Sequence, residues 1–179
     1  MQYPATHLVV MGVAGSGKST IAAALSRQLG WACAEADEFH PQSNIDKMTQ
    51  GIPLQDEDRW PWLREIQNWM TTQATARKST VLTCSALKQS YRRLLSDAQG
   101  RVLFLHLHGG ADLIGQRMQG REGHFMPPTL LPSQLATLEP LTDGELAAGS
   151  LRLDISLSPE EIVAAVIAAL KLPAQPAAS

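Results

Sequence analysis

The chain is poor in cysteine: Cys33 and Cys84 are the two it has in 179 residues. Both fall in stretches read as β-strands, so both are expected to be buried and reduced, and two distant cysteines make no disulfide framework. An excess of charge of one sign is missing as well. The formal net charge is −2, with 18% charged residues and no long basic run, which gives no electrostatic reason for nucleic acid or an anionic membrane surface to be a partner. No apolar run approaches the ~20 residues needed to span a bilayer. The opening residues, Met1-Gln2-Tyr3-Pro4-Ala5-Thr6, lack a basic region followed by an apolar one, so a signal peptide is not expected. His7, His106 and His108 lie on or near expected strands without metal-ligand spacing, and are read as structural. Trp31, Trp60, Trp62 and Trp69 are expected to serve packing rather than to form a ligand platform.

What is present starts with Gly12-Val13-Ala14-Gly15-Ser16-Gly17-Lys18-Ser19, the pattern G-x-x-x-x-G-K-S. It follows an apolar run, Leu8-Val9-Val10-Met11, and precedes Ile21, Ala22, Leu25 and Leu29 at helical spacing. Strand, glycine-rich loop and helix in that order make a P-loop. The glycines let backbone N–H groups point inward at a phosphate, and the helix N-terminus adds partial positive charge. Lys18 supplies a mobile charge for the β- and γ-phosphates, and the Ser19 hydroxyl is placed to ligate Mg²⁺. The loop indicates a nucleoside triphosphate but not its use.

A mass of 19.4 kDa and a hydrophobic share of 44% suit one globular domain. Strands are expected at His7–Met11, Ala32–Ala36, Thr80–Cys84, Val102–Leu107 and Leu151–Ile155. They are short, and several are apolar throughout, as in a parallel sheet covered on both faces. Helices are expected at about 18–29, 41–50, 56–77, 88–96 and 111–119. A last one starts at the capping sequence Ser158-Pro159-Glu160-Glu161 and runs to about 171. The alternation implies a three-layer α/β/α fold with its ligand beyond the carboxyl ends of the strands. Residues 1–171 form the expected domain, and 172–179 a small, proline-rich tail that frays.

Chemistry is therefore sought just after each strand. After the second comes Glu35-Ala36-Asp37-Glu38-Phe39-His40-Pro41. Carboxylates two apart on a strand end share a face. One can help hold hydrated Mg²⁺ while the other orients and deprotonates a substrate hydroxyl. The third strand ends without an acidic residue, and no Asn-Lys-x-Asp segment for guanine occurs. Both absences argue against a hydrolytic machine and for a small transferase. Lys88, one turn further on, could reach an anionic substrate or be a surface lysine. After the fourth strand and its helix, Arg117 and Arg121 stand four apart beside Gly120 and Gly123. A mobile lid over about 117–128 would close these arginines on the moving phosphoryl group. The insertion over about 40–78 carries His40, Asn44, Lys47, Asp56, Asp58 and Arg59 with little aromatic surface. It favours a small, oxygen-rich acceptor over a nucleoside monophosphate, although helix-dipole pairing alone could account for the acids.

Seven segments combine these features: Met11 to Ser19; Asp37 to Pro41; Asn44 to Met48; Gly51 to Leu54 with Asp56 to Arg59; Cys84 to Lys88 with Tyr91-Arg92; Arg117 to Phe125; and Ser133-Gln134 with Leu138-Glu139-Pro140. Together they resemble the gluconokinases of the P-loop small-molecule kinase group, over about Leu8 to Pro140 and most of the strand–helix finish. The resemblance implies ATP-dependent phosphorylation of D-gluconate at its 6-hydroxyl by a cytoplasmic enzyme, often a homodimer. It also implies a five-stranded parallel sheet of order 2-3-1-4-5. By the same resemblance, Gly12, Val13, Ala14, Gly15, Ser16, Gly17, Lys18, Ser19 and Thr20 hold ATP with Arg117, and Lys18 and Arg121 neutralise the moving phosphoryl. Asp37 accepts the hydroxyl proton. Arg59 and Lys88 hold the carboxylate, and His40, Lys47 and Asp58 complete the acceptor contacts. Ser19 and Glu35 are the Mg²⁺ candidates, although the family usually has Asp where this chain has Glu35. Pro132 is a second departure, expected to perturb the first turn of the helix after the lid. Two other readings stand beside this one: a shikimate-type small-acid kinase, and a non-catalytic ATP-binding regulatory protein.

Overall fold

The computed structural model describes residues 4–119 and 131–173, and of 117–119 the backbone alone. Five strands, β1 (Thr6–Met11), β2 (Ala32–Glu35), β3 (Thr80–Thr83), β4 (Arg101–His108) and β5 (Leu151–Asp154), form one sheet of order β2-β3-β1-β4-β5. Every pairing is parallel. This is the expected topology. β1 lies in the middle, and Leu8, Val9, Val10 and Met11 are all 0% exposed, which is why the run is apolar without alternation.

Helices cover both faces. On one, α1 (Lys18–Leu29) and α8 (Pro159–Leu170) pack Ile21, Leu25, Ile162 and Val166 against Leu8 and Leu105. On the other, α3 (Asp56–Thr75) and α4 (Gln89–Ser96) pack Trp62, Ile66, Tyr91 and Leu95 against Val9 and Phe104. A 3₁₀ turn (Ala36–Phe39) and α2 (Gln42–Thr49) follow β2, α5 (Ala111–Gln119) follows β4, and α6 (Leu131–Thr137) and α7 (Asp143–Ala147) precede β5. α8 starts as its sequence indicates: Ser158 N–H donates to Glu161 Oε1, and Glu161 N–H to Ser158 Oγ, both at 3.1 Å. α7 was not among the expected elements, yet Thr142 and Glu145 form the same reciprocal cap. Pro61 lies inside α3 but is exposed, so water can serve the Glu57 carbonyl that loses its partner. Pro132 is the second residue of α6, which runs unbroken to Thr137.

Three expectations need correction. Cys33 is exposed, not buried: β2 is an edge strand, and the layer of helices does not reach over its first residues. Ala36 belongs to the 3₁₀ turn rather than to β2, and β3 stops at Thr83, so Cys84 lies just past the strand. Cys84 is buried as expected, and burial pushes its thiol up to about 12. Arg121, most of the expected lid and the tail beyond Pro173 lie outside the described residues. Among the described residues no helix is long and apolar enough to cross a membrane.

His7 is buried and structural, its ring nitrogens 2.7 Å from Thr80 Oγ1 and 2.9 Å from the Gln99 carbonyl oxygen. His106 is 2% exposed, and its Nδ1 has no hydrogen-bond partner among the described residues. Burial, helped by His108, Arg152 and Arg92, lowers its pKa to about 4. The unfolded chain, with the ring back at 6.5, takes up a proton that the fold refuses. The contribution of His106 to stability is therefore complete above pH 6.5 and falls as pH drops toward 4, by up to about 1.4 kcal/mol per pH unit. Urea denaturation between pH 7 and 4.5 should show this slope, and His106→Leu should reduce it; an unchanged slope would exclude His106 as its source.

Candidate active site

The P-loop leaves β1 at Gly12, whose φ of 147° is open to glycine. A Cβ there would stand 2.8 Å from both the Leu107 carbonyl oxygen and Ser16 Oγ. Gly17, at φ 97°, turns the chain into α1. Between them the loop closes on itself: Ser16 Oγ donates to the Val13 carbonyl at 2.7 Å, and Lys18 Nζ donates to the carbonyls of Gly12 and Val13 at 3.1 and 3.0 Å. Gly15, Ser16, Gly17, Ser19 and Thr20 line a cavity of about 260 Å³ whose far wall is Leu157, Pro159 and Ile162. Those three wall residues were legible in the sequence only as the start of α8.

Two neighbouring segments hold the loop. Gly12 N–H donates to the Ser85 carbonyl at 3.3 Å, and Ala14 N–H donates to Gln134 Oε1 of α6 at 2.7 Å. Ser85 opens the turn that leads to Lys88, in which Ala86 adopts a φ of 46°, a costly conformation for a residue with a Cβ. Arg92, 1% exposed, stabilises that turn. Its guanidinium donates to the carbonyls of Ala86 (3.0 Å), Glu139 (3.0 Å) and Pro140 (3.1 Å), and grips the Glu145 carboxylate through Nε (2.7 Å) and Nη2 (3.1 Å). Burial works to raise the pKa of Glu145, but the hydrogen bonds from Arg92 and Thr142 outweigh it and hold the carboxyl below its ordinary range.

The acceptor candidates gather beside the same strand ends. Asp37 sits in the 3₁₀ turn with its side chain 64% exposed. His40 stacks on Trp62, centroids 4.2 Å apart at 12°; burial, then the Arg59 charge, lowers its pKa to about 4. Lys88 is in ion pair with Asp56 at 3.0 Å, and Tyr91 donates its hydroxyl to the same carboxylate at 2.5 Å. The hydrogen bond from Tyr91, then that from Lys88, lowers the Asp56 pKa, and Asp56 in turn raises that of Lys88. Lys47 pairs with Asp58 at 2.9 Å, and Asp58 Oδ2 also accepts the Gln55 N–H at the start of α3. Arg59 donates to the Leu54 carbonyl at 2.6 Å and lies 5.6 Å from the centre of the Tyr91 ring. The charges of Lys18 and Arg59 work to lower the pKa of buried Cys84 and that of Asp37 to raise it, and burial outweighs all three. Glu35 accepts a hydrogen bond from the Thr83 hydroxyl across β2 and β3. Sequence reasoning singled out Lys18, Asp37, His40, Arg59 and Lys88. It missed Tyr91 as a partner, Trp62 as the floor under His40, and Gln134 as a support of the P-loop; Tyr91 and Gln134 stand in the segments that carry the resemblance.

A P-loop at the carboxyl end of a five-stranded parallel sheet, with a cluster of polar and charged side chains after β2, fits the class of small-molecule P-loop kinases. Comparison with known proteins narrows this. A family described as an AAA domain matches residues 8–141. A gluconokinase of Gluconobacter oxydans is 50% identical over 138 residues, 77% of this chain and 78% of that protein. The structure is similar to that of a sugar kinase from Janibacter sp. (TM-score 0.89, 50% identity, 94% of this chain and 96% of that one). It is also similar to that of a gluconokinase from Sinorhizobium meliloti (TM-score 0.80, 41% identity, 96% and 94%). The chain belongs to the gluconokinase family.

Removing one partner of a buried ion pair leaves the other charge without compensation. Glu145→Ala should therefore cost about 3 kcal/mol of stability, read as a lower urea midpoint at pH 7. A midpoint equal to that of the unsubstituted chain would show that the carbonyls alone satisfy Arg92.

Proposed function

We propose that this chain transfers the γ-phosphoryl group of ATP to the 6-hydroxyl of D-gluconate, giving ADP and 6-phospho-D-gluconate. The observation that carries the chemistry is the P-loop, with Lys18 Nζ held on the Gly12 and Val13 carbonyls beside a cavity lined by Gly15, Ser16, Gly17 and Ser19. Family membership supports gluconate, rather than shikimate, as the acceptor. Asp37 accepts the hydroxyl proton as the oxygen–phosphorus bond forms and the bond to the β-phosphate oxygen breaks. Before that step Lys18 moves from the Gly12 and Val13 carbonyls to the phosphates, and during it Lys18 and Arg121, with Arg117 assisting, neutralise the transferring group. Backbone N–H groups of Gly15, Gly17, Lys18, Ser19 and Thr20 cradle the phosphates, while those of Gly12, Ala14 and Ser16 bond to Ser85, Gln134 and Val13 and hold the loop in shape. Arg59 takes the carboxylate of the acid with Lys88 beside it, and His40, Lys47 and Asp58 wall the polyol.

Mg²⁺ fits as a companion of ATP. Among the described residues no group of three or more His, Cys, Asp or Glu could hold a metal by itself, so most ligands would be nucleotide oxygens and water. Ser19, in the phosphate cavity, and Glu35, at the end of β2, are the hard oxygen donors that suit it. When bound, the ion offsets charge on the β- and γ-phosphate oxygens. The resemblance supports a cytoplasmic homodimer as the setting. It also supports a division of labour in which residues 40–78 bind the acceptor and 117–128 close over it.

The deciding experiment is ADP release with Mg·ATP across D-gluconate, other sugar acids, shikimate and nucleoside monophosphates. Turnover with D-gluconate and loss of nearly all of it in Lys18→Met are expected; ATP binding without turnover would point to a regulatory protein instead. Asp37→Asn should lower kcat by about 10² or more, whereas a change confined to KM would make Asp37 a positioning group. Arg59→Ala should mainly raise KM for gluconate, and an unchanged KM would remove Arg59 from the carboxylate site.

A further inference from the structure

Asn44 is 1% exposed, and its side-chain nitrogen lies 2.9 Å from the Asp58 carbonyl oxygen and 3.2 Å from His40 Nδ1. A carbonyl oxygen only accepts, so the amide must turn its NH₂ toward Asp58. The second hydrogen of that same NH₂ then points at Nδ1. A ring nitrogen that accepts carries no proton, so in the neutral imidazole the proton resides on Nε2. Three side chains keep the ring neutral and in place: the Trp62 face stacked on it and the Arg59 charge, both from α3, and Asn44 from α2. The carboxylate facing it comes from its own turn. Nε2 lies 3.9 Å from Asp37 Oδ1.

That gap is too wide for a hydrogen bond between the two groups. It suits one oxygen atom between them: an oxygen about 2.8 Å from each would subtend about 90°. Such an atom must accept from Nε2–H and donate to a carboxylate. A hydroxyl does both at a single atom, whereas a carbonyl or ether oxygen only accepts.

We propose that Asn44 is a positioning residue that fixes His40 as an Nε2–H donor, and that this N–H and the Asp37 carboxylate together grip one hydroxyl of the polyol acceptor. The grip deepens the gluconokinase reading and rests on it; the tautomer does not.

The test is a long-range ¹H–¹⁵N correlation spectrum of the full chain labelled at histidine, at pH 7, with the His40 signals identified by their loss in His40→Gln. The expected spectrum shows a neutral ring protonated at Nε2. In Asn44→Ala the signals should move toward a mixture of tautomers. In the same variant kcat/KM for gluconate should fall about tenfold, the size of one lost hydrogen bond, with KM for ATP within about twofold. A charged ring or an Nδ1–H tautomer in the unsubstituted chain overturns the proposal. So does unchanged kcat/KM for gluconate in folded Asn44→Ala. Should that variant fail to fold, the spectrum of the unsubstituted chain still decides the tautomer. It does so even if gluconate is not turned over, which separates failure of this inference from failure of the functional reading.

Discussion

A side chain at position 12 would collide with the Leu107 carbonyl oxygen and with Ser16 Oγ, each 2.8 Å from where its Cβ would stand. This lack of room organises the site. The P-loop passes so close to the ends of β1, β3 and β4 that its backbone bonds directly to the Ser85 carbonyl, and the sheet can position it without intervening side chains. Lys18 is thereby held over the loop carbonyls, and Ser16 folds back onto Val13. Ser19 and Thr20, in the first turn of α1, line the cavity beside the loop, where a helix N-terminus favours an anion. A loop built on flexible spacers would have to be ordered anew at each binding event, at an entropic cost that this one has met on folding.

The candidate acceptor side is built on the opposite principle, from charged groups that hold one another. Asp56 gathers Lys88 and Tyr91, and Asp58 gathers Lys47 and the N-terminus of α3. Partners oriented in this way present their remaining capacity to a ligand with little rearrangement. Behind them, Arg92 and Glu145 anchor the strained turn at Ala86 to the segment that follows α6. Gln134, on α6 itself, bonds the P-loop. One stretch of chain is thus tied to the nucleotide loop at one end and to the turn carrying Lys88 at the other.

Local features were legible in the sequence where local physics governs them. The apolar β1 run, the glycines of the P-loop, the Ser158 cap and the spacing within α1 each arise from interactions among near neighbours, and each appears as expected. Cys33 was misjudged because burial depends on whether a strand lies at the edge of a sheet, which its own residues do not encode. Ala36, the first residue of the 3₁₀ turn, reads as the last residue of β2 because propensity cannot see where pairing with β3 ends. The sheet order came from family resemblance, since no local pattern states which strands are neighbours.

The residue types and spacings alone thus determined the phosphate loop, the class of fold and the short set of polar groups among which the chemistry had to lie. Which of those groups meet was settled by folding. Ala14 and Gln134 are 120 positions apart, Asp56 and Lys88 are 32 apart, and Arg92 and Glu145 are 53 apart. Charge and hydrogen-bonding capacity belong to a residue and can be read from its name. Partnership depends on distances of about 3 Å, and only the packing of one element on another sets those.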